Sequence, residues 1–162
     1  MNRTLRAQPL TESLFSRFGD ILATGPTPTV MINEGNCARY SDLARMEFVE
    51  GRVGISVFKA RPYSVPHTLN LMERHPLGSQ AFIPMTDDAY LVVVAEDDNG
   101  MPGLPMAFTT DGQQGVNYHR NTWHAVLTPL SGSGLFSVVD RIGQGDNLQE
   151  HRFDAPWQIS IE

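Results

Sequence analysis

Tyr90-Leu91-Val92-Val93-Val94-Ala95 is apolar at every position. A strand with one wet face alternates apolar and polar residues, so this unbroken run predicts a strand covered on both sides. Shorter apolar runs surround it, at 81–85, 106–109, 123–127 and 135–139. Val53, Ile55 and Val57 alternate with Gly54, Ser56 and Phe58, a period near two. Turn-forming residues separate the runs: Asp87-Asp88, Asp97-Asp98-Asn99-Gly100, Asp111-Gly112 and Ser131-Gly132-Ser133-Gly134. Many short strands without alternating helices argue for an antiparallel sandwich or barrel.

One helix is expected ahead of the strands. Thr11 suits its N-cap, Glu12 the positive end of its dipole, and Gly19 its end, with Leu14, Phe15 and Phe18 as an apolar stripe. Pro102-Gly103-Leu104-Pro105 reads as a loop, and the polar tail 143–151 as a surface cover. No repeat or low-complexity linker divides the chain, so residues 1–162 are expected to form one domain.

A formal net charge of −6 argues against a general nucleic-acid binder, which needs a basic face, though not against a local pocket for a small anion. No apolar run approaches the ~20 residues that span a bilayer. Residues 1–10 hold two arginines with no apolar stretch after them, unlike a signal peptide. Cys37 is the single cysteine, so no internal disulfide can form, and a reducing cytoplasm is the simplest setting. It reads as a small packed residue; nothing around it in sequence would activate a thiol.

Most of the polar chemistry lies in two stretches. Glu73-Arg74-His75-Pro76-Leu77-Gly78-Ser79-Gln80 offers a carboxylate, an imidazole and an amide; Asn117-Tyr118-His119-Arg120-Asn121-Thr122-Trp123-His124 offers two imidazoles. Glu73 and His75 are two apart and would share a strand face, and the turn at Pro76-Leu77-Gly78 could bring Gln80 to the same interior. Glu, His and amide donors without sulfur suit nickel, iron, manganese or zinc in an open site, or the same histidines are ordinary hydrogen-bonded residues. His67 and His151 lack such company and read as surface or structural.

The two stretches, extended to Met85 and back to Gly115, closely resemble the ureidoglycolate lyase family. Phe18-Gly19-Asp20, Ile32-Asn33 with Gly35, Arg39-Tyr40 with Asp42-Leu43-Ala44, and Asp140-Arg141 support the resemblance, which runs from about residue 10 to about residue 147. It implies a mainly β, cupin-like antiparallel barrel with a short N-terminal helix, and a homodimer. It also implies cleavage of ureidoglycolate to glyoxylate and urea in allantoin breakdown, with nickel as cofactor. No nucleic-acid or membrane partner is expected.

Cupins carry a first motif of two histidines and a glutamate and a second of Pro-x-Gly-x-x-His. Laid on those motifs, Glu73 takes the first histidine place, His75 the second and Gln80 the glutamate place. His119 falls on the proline, Asn121 on the glycine and His124 on the metal histidine. The resemblance thus implies a metal cage of Glu73, His75, Gln80 and His124, with Gln80 a neutral, weaker ligand. His124 or Glu73 is expected as base or ligand, and His119 as proton donor to urea. Arg74, Arg120 and Arg141 compete for the substrate carboxylate, and Asn33, Tyr118 and Trp123 shape the pocket. A non-catalytic cupin-like module binding a small carboxylate, or another cupin-type metal-dependent enzyme, are the alternatives.

Overall fold

A computed structural model describes residues 3–161 of the chain. The protein is built almost wholly of strands, arranged as a nearly closed barrel of two facing sheets, as the cupin-like expectation holds. The larger sheet has eight strands. Its central path runs Arg3–Arg6, Gln149–Ser160, His67–Arg74, Trp123–His124, Tyr90–Ala95, Met106–Thr109 and Gln8–Pro9, with Thr128–Pro129 also paired to Tyr90–Ala95. The smaller runs Gly19–Leu22, Gly115–Tyr118, Gln80–Pro84, Leu135–Ile142 and Arg52–Lys59. A hairpin of Val30–Ile32 and Cys37–Arg39 stands apart.

Tyr90–Ala95 is the spine. All six of its residues are buried. Tyr90, Val92 and Val94 enter one apolar cluster with Phe82, Phe108, Val116, Phe136 and Val138, between the sheets. Leu91, Val93 and Ala95 enter a second with Leu69, Met72, Trp123 and Ile159 on the other face. Two cores on two faces explain why no polar residue interrupts the run.

The segment from Arg3 to Pro9 closes the larger sheet on itself. Its first part pairs in parallel with Gln149–Ser160 and its last two residues in parallel with Met106–Thr109, at opposite ends of the strand order. Ala7, between them, is buried and donates its N–H to the Ser160 carbonyl.

Three local expectations change. The helix is one turn, Glu12–Phe15; Thr11 takes the N-cap conformation without a side-chain cap, and Leu14 is exposed while Phe15 and Phe18 are buried. Gly19 does not cap the helix but opens a strand, where a Cβ would lie 2.1 Å from the Asn117 carbonyl oxygen; close backbone approach is what requires glycine. The tail also does more than cover surface, since from Gln149 it is a twelve-residue strand paired along His67–Arg74. Among the described residues no helix is long and apolar enough to cross a membrane.

Candidate metal and active site

Glu73 and His124 are direct cross-strand partners of the larger sheet, so their side chains share its inner face. Their neighbours Arg74 and Trp123 take the outer face, where the guanidinium lies 4.5 Å from the indole centroid. His75 follows the end of its strand as the chain crosses toward the smaller sheet. Gln80 sits there directly between Tyr118 and Asp140, its partners on the two flanking strands. The ligand atoms of Glu73, His75 and His124 lie within 4.8 Å of one another.

Two carbonyls decide which nitrogens face this cluster. His75 Nδ1 is 2.7 Å from the Asn147 carbonyl oxygen and His124 Nδ1 is 2.9 Å from that of Ala125. A carbonyl oxygen only accepts, so Nδ1 carries the proton in each ring and Nε2 presents a lone pair. Both Nε2 atoms are buried without a hydrogen-bond partner, and His75 Nε2 is 3.9 Å from Glu73 Oε1. Buried polar atoms are normally paired, so two orphaned lone pairs beside a carboxylate mark a place for an electron-pair acceptor. The donors fit a divalent transition ion, and an unpaired Gln80 Oε1 borders the same region. The Gln80 amide nitrogen donates to Asp140 Oδ2 at 3.1 Å, which turns its oxygen free. Glu73 and Gln80 both line an open cavity of about 360 Å³, with Phe58, Tyr63, Phe82 and Leu127 as its apolar walls.

Burial disfavours charge in the cluster. It raises the Glu73 carboxyl above its ordinary value; His75 opposes the rise and Glu150, its cross-strand neighbour, adds to it. It pushes the His124 imidazole down to about 3; His75, when it too is protonated in acid, acts in the same sense and the hydrogen bond to Ala125 against it. His124 is therefore neutral at pH 7, as a metal ligand or hydrogen-bond acceptor must be. Tyr118 stacks flat on His124, with centroids 4.1 Å apart and planes 5° apart, fixing the ring from its face.

The remaining candidates make other contacts. Asn117 and His119, either side of Tyr118, both reach Asp20: His119 Nε2 is 3.2 Å from Oδ2, and Asn117 Nδ2 donates to it at 3.0 Å. Burial alone would raise the Asp20 carboxyl, but Asn117, the Arg45 N–H and His119 together hold it below its ordinary value. A cleft of about 560 Å³ beside Asp20 is larger than the cavity at Glu73, but the group of metal-competent side chains among the described residues is Glu73, His75 and His124, which lies at the smaller one.

Arg74 is bound to Asp97 and to Gln149 Oε1, and Trp123 Nε1–H donates to the same Asp97 carboxylate. Arg120 donates to the Pro76 carbonyl at 2.6 Å. The buried Arg141 holds three carbonyls, those of Val49, Glu50 and Gln144. Asn33 stands at the tip of the separate hairpin with φ 53°. His67 is buried edge-on against Tyr63, and His151 packs between Trp123 and Phe153; neither belongs to the Glu73–His75–His124 group. Sequence reading missed Asn147, Asp140 and the Ala125 carbonyl. Each acts through a partner distant in sequence or through its main chain, and no spacing pattern signals that.

A family model described as ureidoglycolate lyase matches residues 2–160. A protein named ureidoglycolate lyase 2 from Rhizobium meliloti (strain 1021) is 50% identical over 157 residues, 96% of each chain. Proteins named ureidoglycolate lyase from Chelativorans sp. (strain BNC1) and Rhodobacter capsulatus are 47% and 50% identical, covering 98% and 96% of this chain and 98% and 97% of their own.

Proposed function

Because the chain belongs to the ureidoglycolate lyase family, we propose that it cleaves ureidoglycolate to glyoxylate and urea at the cluster of Glu73, His75 and His124, beside the cavity that Glu73 and Gln80 line. The observation that carries this reading is the pair of orphaned Nε2 lone pairs converging on a half-buried carboxylate. The alternatives of a binding module or another metal enzyme have no such support from the relatives.

Ureidoglycolate carries a hydroxyl and a ureido nitrogen on one carbon, next to a carboxylate. Cleavage moves the hydroxyl proton to the departing nitrogen as the carbonyl forms. Glu73 is the base we assign: burial raises its carboxyl, which brings it nearer to the working pH of a proton acceptor. Once protonated, the same carboxyl returns the proton to the urea nitrogen when the carbon–nitrogen bond breaks, so the step balances without a further acid. His119 remains an acid only where substrate reaches the Asp20 side. His75, His124 and one Glu73 oxygen, with Gln80 Oε1 as a neutral fourth donor, would hold a divalent ion, leaving the second Glu73 oxygen for the proton; nickel is the one the family resemblance implies. The chemistry such an ion supplies is Lewis acidity toward the substrate oxygens. Phe82 lines the cavity and packs edge-on against Tyr118, which in turn stacks on His124.

We assign the working form to a pair of copies in the cytoplasm, in purine breakdown. Val53, Ile55 and Val57 are 52%, 77% and 61% exposed along one face of the edge strand Arg52–Lys59, an apolar strip that a second copy would cover. Replacing Ile55 by Glu should shift the mass seen by light scattering from dimer to monomer; an unchanged dimer would remove this face as the interface.

The activity test is to add ureidoglycolate, with and without a chelator, and follow glyoxylate and urea. Release above the spontaneous rate is expected, lost with chelator and restored by nickel. No release above background overturns the assignment, and release indifferent to chelator overturns the metal.

A further inference from the structure

The polar tail is tied to the cluster at one residue. The Asn147 main-chain carbonyl accepts the His75 Nδ1 proton at 2.7 Å, and its side-chain Oδ1 accepts the Leu77 N–H at 2.8 Å. These two bonds close a ring through the backbone from His75 to Leu77. The turn is gripped from the opposite side as well, where Arg120 Nε donates to the Pro76 carbonyl and the Asn121 N–H to that of His75. Behind Asn147 the tail is pinned by Arg141, whose Nη2 donates to the Gln144 carbonyl. At Gly145 (φ +91°) the tail crosses the turn so closely that a Cβ would lie 3.2 Å from the Leu77 side chain.

We infer that Asn147 is a positioning residue that fixes both the tautomer and the direction of His75. A neutral imidazole in water exchanges its proton between two nitrogens and rotates freely; a fixed acceptor at Nδ1 ends both motions and leaves the Nε2 lone pair facing Glu73. The side-chain amide does this indirectly. By holding Leu77 N–H it sets where the Asn147 carbonyl stands relative to the ring, so losing the amide oxygen loosens the carbonyl contact without touching a ligand. Asp, which keeps an acceptor oxygen at the same place, should substitute; Ala should not.

The inference rests on the proposed cluster for its consequence but not for its first readout. Nitrogen-15 spectra of histidine-labelled, metal-free protein report the tautomer directly. In wild type the His75 nitrogens should show a protonated Nδ1 and an unprotonated Nε2. Asn147→Ala should move both toward the averaged values of a free ring, and Asn147→Asp should retain the wild-type pattern. Titration with Ni²⁺ alone should then show affinity weakened about 10–100-fold in Asn147→Ala and recovered in Asn147→Asp, with thermal unfolding reported for each variant. An unshifted tautomer pattern in folded Asn147→Ala overturns the inference. So does Ni²⁺ affinity equal to wild type in that variant. Absence of Ni²⁺ binding to wild type sinks the metal reading instead, and the tautomer result still decides the role of Asn147.

Discussion

The His75 and His124 imidazoles stand with centroids 5.2 Å apart and planes tilted by 43°, each turned by a main-chain carbonyl so that its unprotonated nitrogen is left for the cluster. They arrive by different routes, one from the end of a strand and one from the middle of the larger sheet. Replacing His124 by Gln keeps most of the buried volume and a neutral donor but misplaces the lone pair. Turnover should fall by at least about 100-fold while circular dichroism stays that of wild type. Unchanged glyoxylate release from a folded variant would remove His124 from the centre of the site.

Glu73→Gln separates catalysis from stability. The carboxylate is half-buried opposite Glu150, so its charge is unfavourable in the metal-free fold. The neutral isostere should therefore raise the melting temperature of metal-free protein at pH 7 while cutting turnover by about 10²–10⁴-fold. Calorimetry and a glyoxylate assay on one preparation check both directions; a variant that melts lower would contradict the charge argument.

Acid should weaken the metal-free protein through its buried histidines. His124 titrates at about 3 in the fold against 6.5 for the free side chain, so the unfolded chain binds its proton first. Its contribution is complete above 6.5 and lost as pH falls toward 3. His67, lowered by burial, acts in the same sense. Glu73, raised, runs the other way: its contribution is present at low pH and fades as pH rises through its folded value. Urea midpoints measured downward from pH 6.5 should decline, and the decline should be shallower in His124→Gln. Equal slopes would mean that His124 is not buried neutral.

Arg141→Met should leave the Val49, Glu50 and Gln144 carbonyls without their donor, at a cost of about 2–4 kcal/mol in denaturant unfolding. The KM of the folded fraction should stay near wild type. A raised KM with undiminished stability would instead make Arg141 the carboxylate-binding group.

What could be read ahead of the structure followed from local rules. An apolar run at every position of 90–95 means two covered faces, and it has them. Two-residue spacing put Glu73 and His75 on one side, and His124 joined them because it is the register partner of Glu73. The strand Gln149–Ser160 was not legible, because its polar residues are held by pairing with His67–Arg74 and Arg3–Arg6 rather than by an apolar face of its own. The roles of the arginines were not legible either. A guanidinium takes whichever acceptor the fold brings near, and here those are Asp97, Pro76, and the carbonyls of the 49–50 and 144 loops.

The crossing at Ala7 makes the eight-stranded sheet a ring with a clasp. While the clasp holds, the edges of Trp157–Ser160 and of Phe108–Thr109 are covered. Cutting away the residues before Leu10 would open both at once, and two raw strand edges on one molecule are a template for endless addition of further chains. The short N-terminal segment thus does the work of a guard, holding two strand ends closed against strand-on-strand association.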